Sequence, residues 1–188
     1  MKTILESFLN ELNIKYTHKY ASKLYNEHPN KYNMLGLQQM LRTYGVKTKG
    51  IKVSIRDLED IPVPCIFHVH GDFFIGTNIT EKNVMCIWSG RKTTCSIHDF
   101  EEMWTGDTLI VEEKADAIEP NYKKNMQKDF FKHVFAWAIM ALSLFAMFAA
   151  VYENNILASF IHCAYIVVDI LGFATCCLLM QKELFRVC

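Results

Sequence analysis

The sequence predicts an α+β domain followed by a two-helix membrane hairpin. Three observations predict it. Apolar residues recur at helical spacing through the first 45 residues, and short β-like runs follow between residues 46 and 112. Two long apolar stretches then occupy 134–151 and 156–180. Helices first and an antiparallel sheet second is the order of an α+β chain.

Thr3 and Glu6 have capping-box spacing, and Ile4, Leu5, Phe8, Leu9 and Leu12 follow as one helical stripe. A second helix is expected over 16–26. It stops at His28-Pro29, because proline disfavours the α conformation in the residue before it. A third starts near Asn33, carries Leu35, Leu37, Met40 and Leu41, and ends at Gly45, a good left-handed cap. Strands are expected near 46–53, 64–70, 72–79, 83–88, 93–97 and 108–112, and the short gaps between most of them favour antiparallel pairing. One helix interrupts the strands. Ser96 can cap it, and Phe100, Met103 and Trp104 line one face. The segment 114–125, KADAIEPNYKKN, reads as a polar linker. The expected division is a domain over 1–113, a linker over 114–132 and a hairpin over 133–188.

The run 134–151, VFAWAIMALSLFAMFAAV, holds no charge. About 18 such residues cover a hydrocarbon core of about 30 Å, and in lipid the backbone must bond to itself as a helix. Residues 152–155 break the pattern before the second run. Lys123, Lys124, Lys128 and Lys132 precede the first run, Lys182 and Arg186 follow the second, and the connection carries only Glu153. This asymmetry predicts a two-helix, multi-pass protein of the inner or plasma membrane with both ends in the cytoplasm. The N-terminus is no secretory signal, since Glu6 and Glu11 interrupt any apolar core there.

The whole chain has 20 basic and 20 acidic residues, scattered without a basic-aromatic groove, which argues against nucleic acid as a partner. Of its seven cysteines, Cys65, Cys86 and Cys95 lie in the soluble part. That odd number without framework spacing suggests reduced thiols. Nothing in the sequence asks for a cofactor.

Four strings carry a specific likeness: LGLQQMLRTYGVKTKGIKV, DLEDIPVPCIFHV, DFFIGTNITEKNVMCIW and CSIHDFEEMWTGDTLIVEE. In this order, over about residues 33–113, they resemble the bacteriocin-processing cysteine peptidases. Those are papain-like leader peptidase domains fused to peptide-exporting ABC transporters. The string FEEMWTG, residues 100–106, is the most specific part. The resemblance implies a papain-like fold of N-terminal helices and an antiparallel sheet. It also implies a Cys nucleophile on the N-terminal helix, a His base opening a strand, and an Asp in an Asp-Pro pair that orients the imidazole.

This chain departs at each place. No cysteine precedes Cys65, the His position is Asp72, and Trp88-Ser89 stands where Asp-Pro is expected. The implied reading is a catalytically degenerate domain. A second likeness lies in HPNKYNMLGL, EPNYKKN and LGFATCCLLMQKEL-FRVC. These resemble the Bacteroidetes-type vitamin K epoxide reductase homologues that carry a peptidase-like domain ahead of their membrane helices. That likeness implies kinship or truncation, with Cys188 as a first redox cysteine and the later Cys-x-x-Cys helix missing.

Other signals stay open. His68 and His70 share a strand face, and Asp72 would join them as a metal trio if the strand ran on; with a turn at Gly71 they are two ordinary strand histidines. Cys95 and His98 straddle a helix start and are either a relocated nucleophile pair or a small residue under a cap. His162 and Asp169 lie seven apart in the second run, an intramembrane polar pair that either serves a partner protein or packs the helices. Cys163, Cys176 and Cys177 read as packing thiols.

The expected function is to bind a peptide or a membrane-protein partner at the lipid surface, in peptide maturation, export or membrane-coupled oxidative folding. The partner would be an exporter or a disulfide-forming system. Strand addition and apolar pockets need no nucleophile. The alternatives are an active leader peptidase and a truncated or split reductase-like protein.

Overall fold

The computed structural model describes residues 2–153 with Gly172, Phe173 and Thr175, giving only the backbone for 146–148 and 150–153. The chain divides into two units, Met1–Tyr122 and Lys123–Cys188.

The first unit opens with three helices, α1 (Ile4–Glu11), α2 (His18–Glu27) and α3 (Met34–Thr43). The capping box forms. Thr3 Oγ1 accepts from the Glu6 N–H at 3.2 Å, and Glu6 Oε2 accepts from the Thr3 N–H at 2.7 Å. α2 ends at His28, whose extended backbone is what Pro29 demands. Asn33 caps α3 by accepting from the Gly36 N–H at 2.8 Å, and Gly45 follows the helix at φ 84°, where a side chain would be strained.

Six strands follow: β1 (Lys47–Lys52), β2 (Cys65–Val69), β3 (Asp72–Ile79), β4 (Asn83–Trp88), β5 (Arg91–Ser96) and β6 (Trp104–Glu113). They form one antiparallel sheet in the order β1-β6-β2-β3-β4-β5. A 3-10 helix, Ile55–Asp60, joins β1 to β2, and α4 (Ile97–Met103) joins β5 to β6. The sequence pattern had not signalled the 3-10 turn, in which Leu58 is its only buried residue.

Both sheet faces are covered, so β2 reads as an almost continuous apolar run, CIFHV. On one face Leu5, Phe8, Leu9, Leu37 and Leu41 of the helices meet Ile66, Phe73, Ile75 and Leu109. On the other, Leu58 and Phe100 meet Cys65, Phe67, Phe74, Val84 and Cys86. Trp104 differs from expectation. It is the first residue of β6, paired with Val69, and lies just past the end of α4. Its ring still stacks 5.5 Å from Phe100 and 5.6 Å from Phe67.

The segment after β6, still within the first unit, folds back onto the ends of its helices. The Ile118 N–H donates to the Tyr44 carbonyl at 2.9 Å, and the Glu119 N–H donates to the Lys15 carbonyl at 3.1 Å. Glu119, 1% exposed, takes the Thr17 hydroxyl at 2.9 Å and also the Thr17 N–H. A buried donor left without a partner costs about 1–3 kcal/mol. Glu119→Ala is therefore expected to lower stability by about that amount, with Glu119→Gln recovering part of it. Urea denaturation followed by tryptophan fluorescence measures both.

The second unit's α5 runs Tyr122–Glu153 and contains the whole charge-free run. Among the described residues no helix is long and apolar enough to cross a membrane. The second apolar run falls almost entirely outside the described residues.

Candidate functional site

A tight turn, His70-Gly71, with φ of 37° and 85°, delivers Asp72 as the first residue of β3. A second turn, Ser89-Gly90, with φ of 49° and 78°, follows Trp88 at the end of β4. Antiparallel pairing of β3 with β4 brings these two ends together. Trp88 Nε1–H donates to Asp72 Oδ2 at 2.6 Å, and the Phe73 N–H donates to Asp72 Oδ1 at 2.8 Å. The Trp88 ring lies 5.5 Å from that of Phe74. The two positions singled out as departures are thus direct partners.

Asp72 and the residues on either side of Trp88 line a cleft of about 170 Å³. One wall is the start of α1 with Lys2, Thr3, Ile4 and Ser7; Tyr25 of α2, Asp72, Phe73, Ile87, Ser89 and Gly90 complete it. Burial, then nearby Tyr32 and Asp72, raises the Tyr25 phenol above its ordinary value. A second cavity of about 470 Å³ is lined by residues 32–34, 50–52, His68 and Asp107. Phe73 borders the first and His68 the second, with ring centres 5.4 Å apart. Both cavities lie between the helices and the sheet, with no lining residue in common. Tyr25, Tyr32, Thr105 and Asp107 were missed from sequence because each is an ordinary polar residue in its local pattern.

The histidines diverge. His68 Nδ1 lies 3.0 Å from Thr105 Oγ1 and 4.0 Å from Asp107 Oδ2. His70 Nε2 lies 3.0 Å from the Glu102 carbonyl. The turn at Gly71 separates both from Asp72, and no trio able to hold a metal is present among the described residues.

The thiols are poorly placed for attack. Burial pushes the Cys65 thiol up to about 12. Burial, then the neighbouring Cys95, pushes the Cys86 thiol up to about 12. Thiolate is the reactive form, so neither is a nucleophile near neutral pH. Cys95 is partly exposed, but its neighbour is Cys86, and His98 faces Glu102 at 3.9 Å. The structure does not join Cys95 to His98 as a base pair. His162, Asp169, Cys163, Cys176, Cys177 and Cys188 lie outside the described residues.

A family model described as the Peptidase C39 family matches residues 3–116. Among solved structures, one similar chain is a double glycine motif protease from an AMS/PCAT transporter, in complex with the leader peptide. It shares 18% identity, with 57% of this chain and 81% of that one covered, at a TM-score of 0.51. Another is the peptidase domain of Streptococcus ComA, a bifunctional ABC transporter involved in a quorum sensing pathway. It shares 20% identity, with 58% and 88% covered, at a TM-score of 0.50. At these identities the likeness establishes the α+β papain-like fold. A comparison with curated proteins returned no match.

Proposed function

Because this chain belongs to the Peptidase C39 family over residues 3–116, we propose that its first unit holds a peptide along these two cavities without cleaving it. The observation that carries this reading is the Trp88–Asp72 hydrogen bond of 2.6 Å. It occupies the two positions where the family resemblance puts a base and its orienting carboxylate. An indole N–H donates and cannot accept a proton, so Trp88 cannot orient an imidazole. Asp72 already receives two N–H groups. Cys65 and Cys86 are buried, and α1 carries no cysteine.

Backbone groups of β-strands and an exposed ring such as Tyr32 of the larger cavity can grip an extended segment with no chemistry at all. The solved relative with a bound leader peptide supports a leader-like segment as the ligand. The setting is a multi-pass protein of the plasma membrane with the first unit in the cytoplasm, serving peptide maturation, export or membrane-coupled oxidative folding. The charge-free run inside α5 and the lysines ahead of it support this placement.

The test is incubation of the chain with a library of double-glycine leader peptides. Saturable binding without hydrolysis is expected. Binding should weaken about tenfold in Tyr32→Ala, the loss of one aromatic contact of about 1.4 kcal/mol from an exposed ring of the larger cavity. Cleavage that disappears in Cys95→Ala would overturn the reading and make Cys95 a relocated nucleophile.

A further inference from the structure

α5 presents a collar of unpaired lysines directly ahead of exposed apolar side chains. Lys123, Lys124, Lys128 and Lys132 are all exposed, and none has an ion-pair partner among the described residues. Lys124, Lys128 and Lys132 are spaced by four and so share one side of the helix. Asp129 is the only acidic residue between 122 and 133.

Beyond the collar, Phe131, Val134, Phe135, Trp137, Leu142 and Phe145 are 46–73% exposed. At about 100° per residue these six lie within about 160° of one side, and Ala136, Met140 and Ser143 fill the opposite side, so the run carries no charge on any side. A solvent that is apolar all round the helix suits such a run.

We infer that this collar binds the anionic headgroups of a lipid bilayer. The inference rests on the membrane reading given above and adds to it a preference for acidic lipid. The distances fit. At about 1.5 Å per residue, Lys132 stands about 3 Å and Lys128 about 9 Å before Val134, where the charge-free run begins. Lys132 lies within one Debye length, about 8 Å at physiological salt, and Lys128 just beyond it. Lys124 and Lys123, about 15–17 Å out, add a weaker, salt-sensitive share. Juxtamembrane lysines attract acidic leaflets in this way, each adding a modest increment. The aromatic rings of Phe131, Phe135 and Trp137 fall at the depth where headgroups meet acyl chains.

The full chain should be reconstituted into phosphatidylcholine vesicles holding a trace of spin-labelled phosphatidylcholine or phosphatidylglycerol. Flotation is scored first and the motionally restricted lipid fraction second. The expected result is flotation, with the phosphatidylglycerol label favoured about tenfold at low salt, less at high salt. That preference should vanish in K124Q/K128Q/K132Q, which still floats. Flotation with equal association of the two labels, or a preference unchanged in the triple variant, overturns the headgroup inference alone. A chain that floats with no vesicle overturns the membrane reading as well.

Discussion

Phe67→Ala is expected to destabilise the first unit by about 3–5 kcal/mol, the usual range for deleting a buried phenyl ring. Phe67 is fully buried at the centre of β2. Its ring meets Phe100 edge-on at 4.9 Å and Trp104 at 5.6 Å, so it joins α4 and the Trp104 ring to this face of the sheet. Edge-to-face pairs add about 0.5–1.5 kcal/mol each to area burial. A domain of this size has a total stability of about 5–15 kcal/mol, so the variant should be close to unfolding. A shift of the urea midpoint without a change in slope would measure the loss. A shift under 1 kcal/mol would mean that Phe100 and Trp104 repack without it. The neighbouring Gly76 supplies a second check. A Cβ there would stand 2.4 Å from the Phe67 ring. Gly76→Ala should be destabilising alone, and the pair with Phe67→Ala should cost clearly less than the sum, because the smaller residue removes the clash.

Gly36→Ala is the other large effect. A Cβ at Gly36 would lie 1.9 Å from the Asn30 carbonyl oxygen and 2.5 Å from its carbon. These are backbone atoms, and the same oxygen accepts the Asn33 N–H at 3.1 Å. The loop before α3 must therefore move away from the helix. Losing the Asn33 cap costs about 1 kcal/mol, and overpacking adds about 1–3 kcal/mol. A total of about 2–4 kcal/mol is expected. Because Tyr32 and Asn33 wall the larger cavity, peptide affinity should fall with stability. Gly71→Ala is the contrasting control. Its Cβ meets nothing, and only the left-handed backbone at φ 85° is penalised, by about 1–2 kcal/mol. Equal losses in the two variants would show that the Asn30 contact is soft.

Local pattern gave the elements of the first unit. The capping box at Thr3, the stop at Pro29 and the left-handed Gly45 each depend on residues within four positions, and each is present. The strand bounds 72–79 and 83–88 are those observed. Trp104 was misplaced because a period of 3.6 extends α4 by one residue. Pairing with Val69 of β2 claims that residue for β6 instead. The same limit applies to the segment 114–121, whose polar composition reads as linker until Glu119 is seen buried against Thr17, 102 residues earlier.

Sequence alone determined the α+β class, the run of helices before strands, and the absence of a nucleophile ahead of Cys65, since each is written in residue identity and short-range period. Tertiary structure alone decided the rest. It inserted β6 between β1 and β2, turned His68 toward Thr105, and set the Phe73 ring beside that of His68. It also set the Trp88 indole against the Asp72 carboxylate. The physical reason is that strand pairing fixes neighbours by hydrogen-bond register across the sheet. Two residues sixteen apart in the chain become partners only when the two turns that end their strands are folded to the same edge.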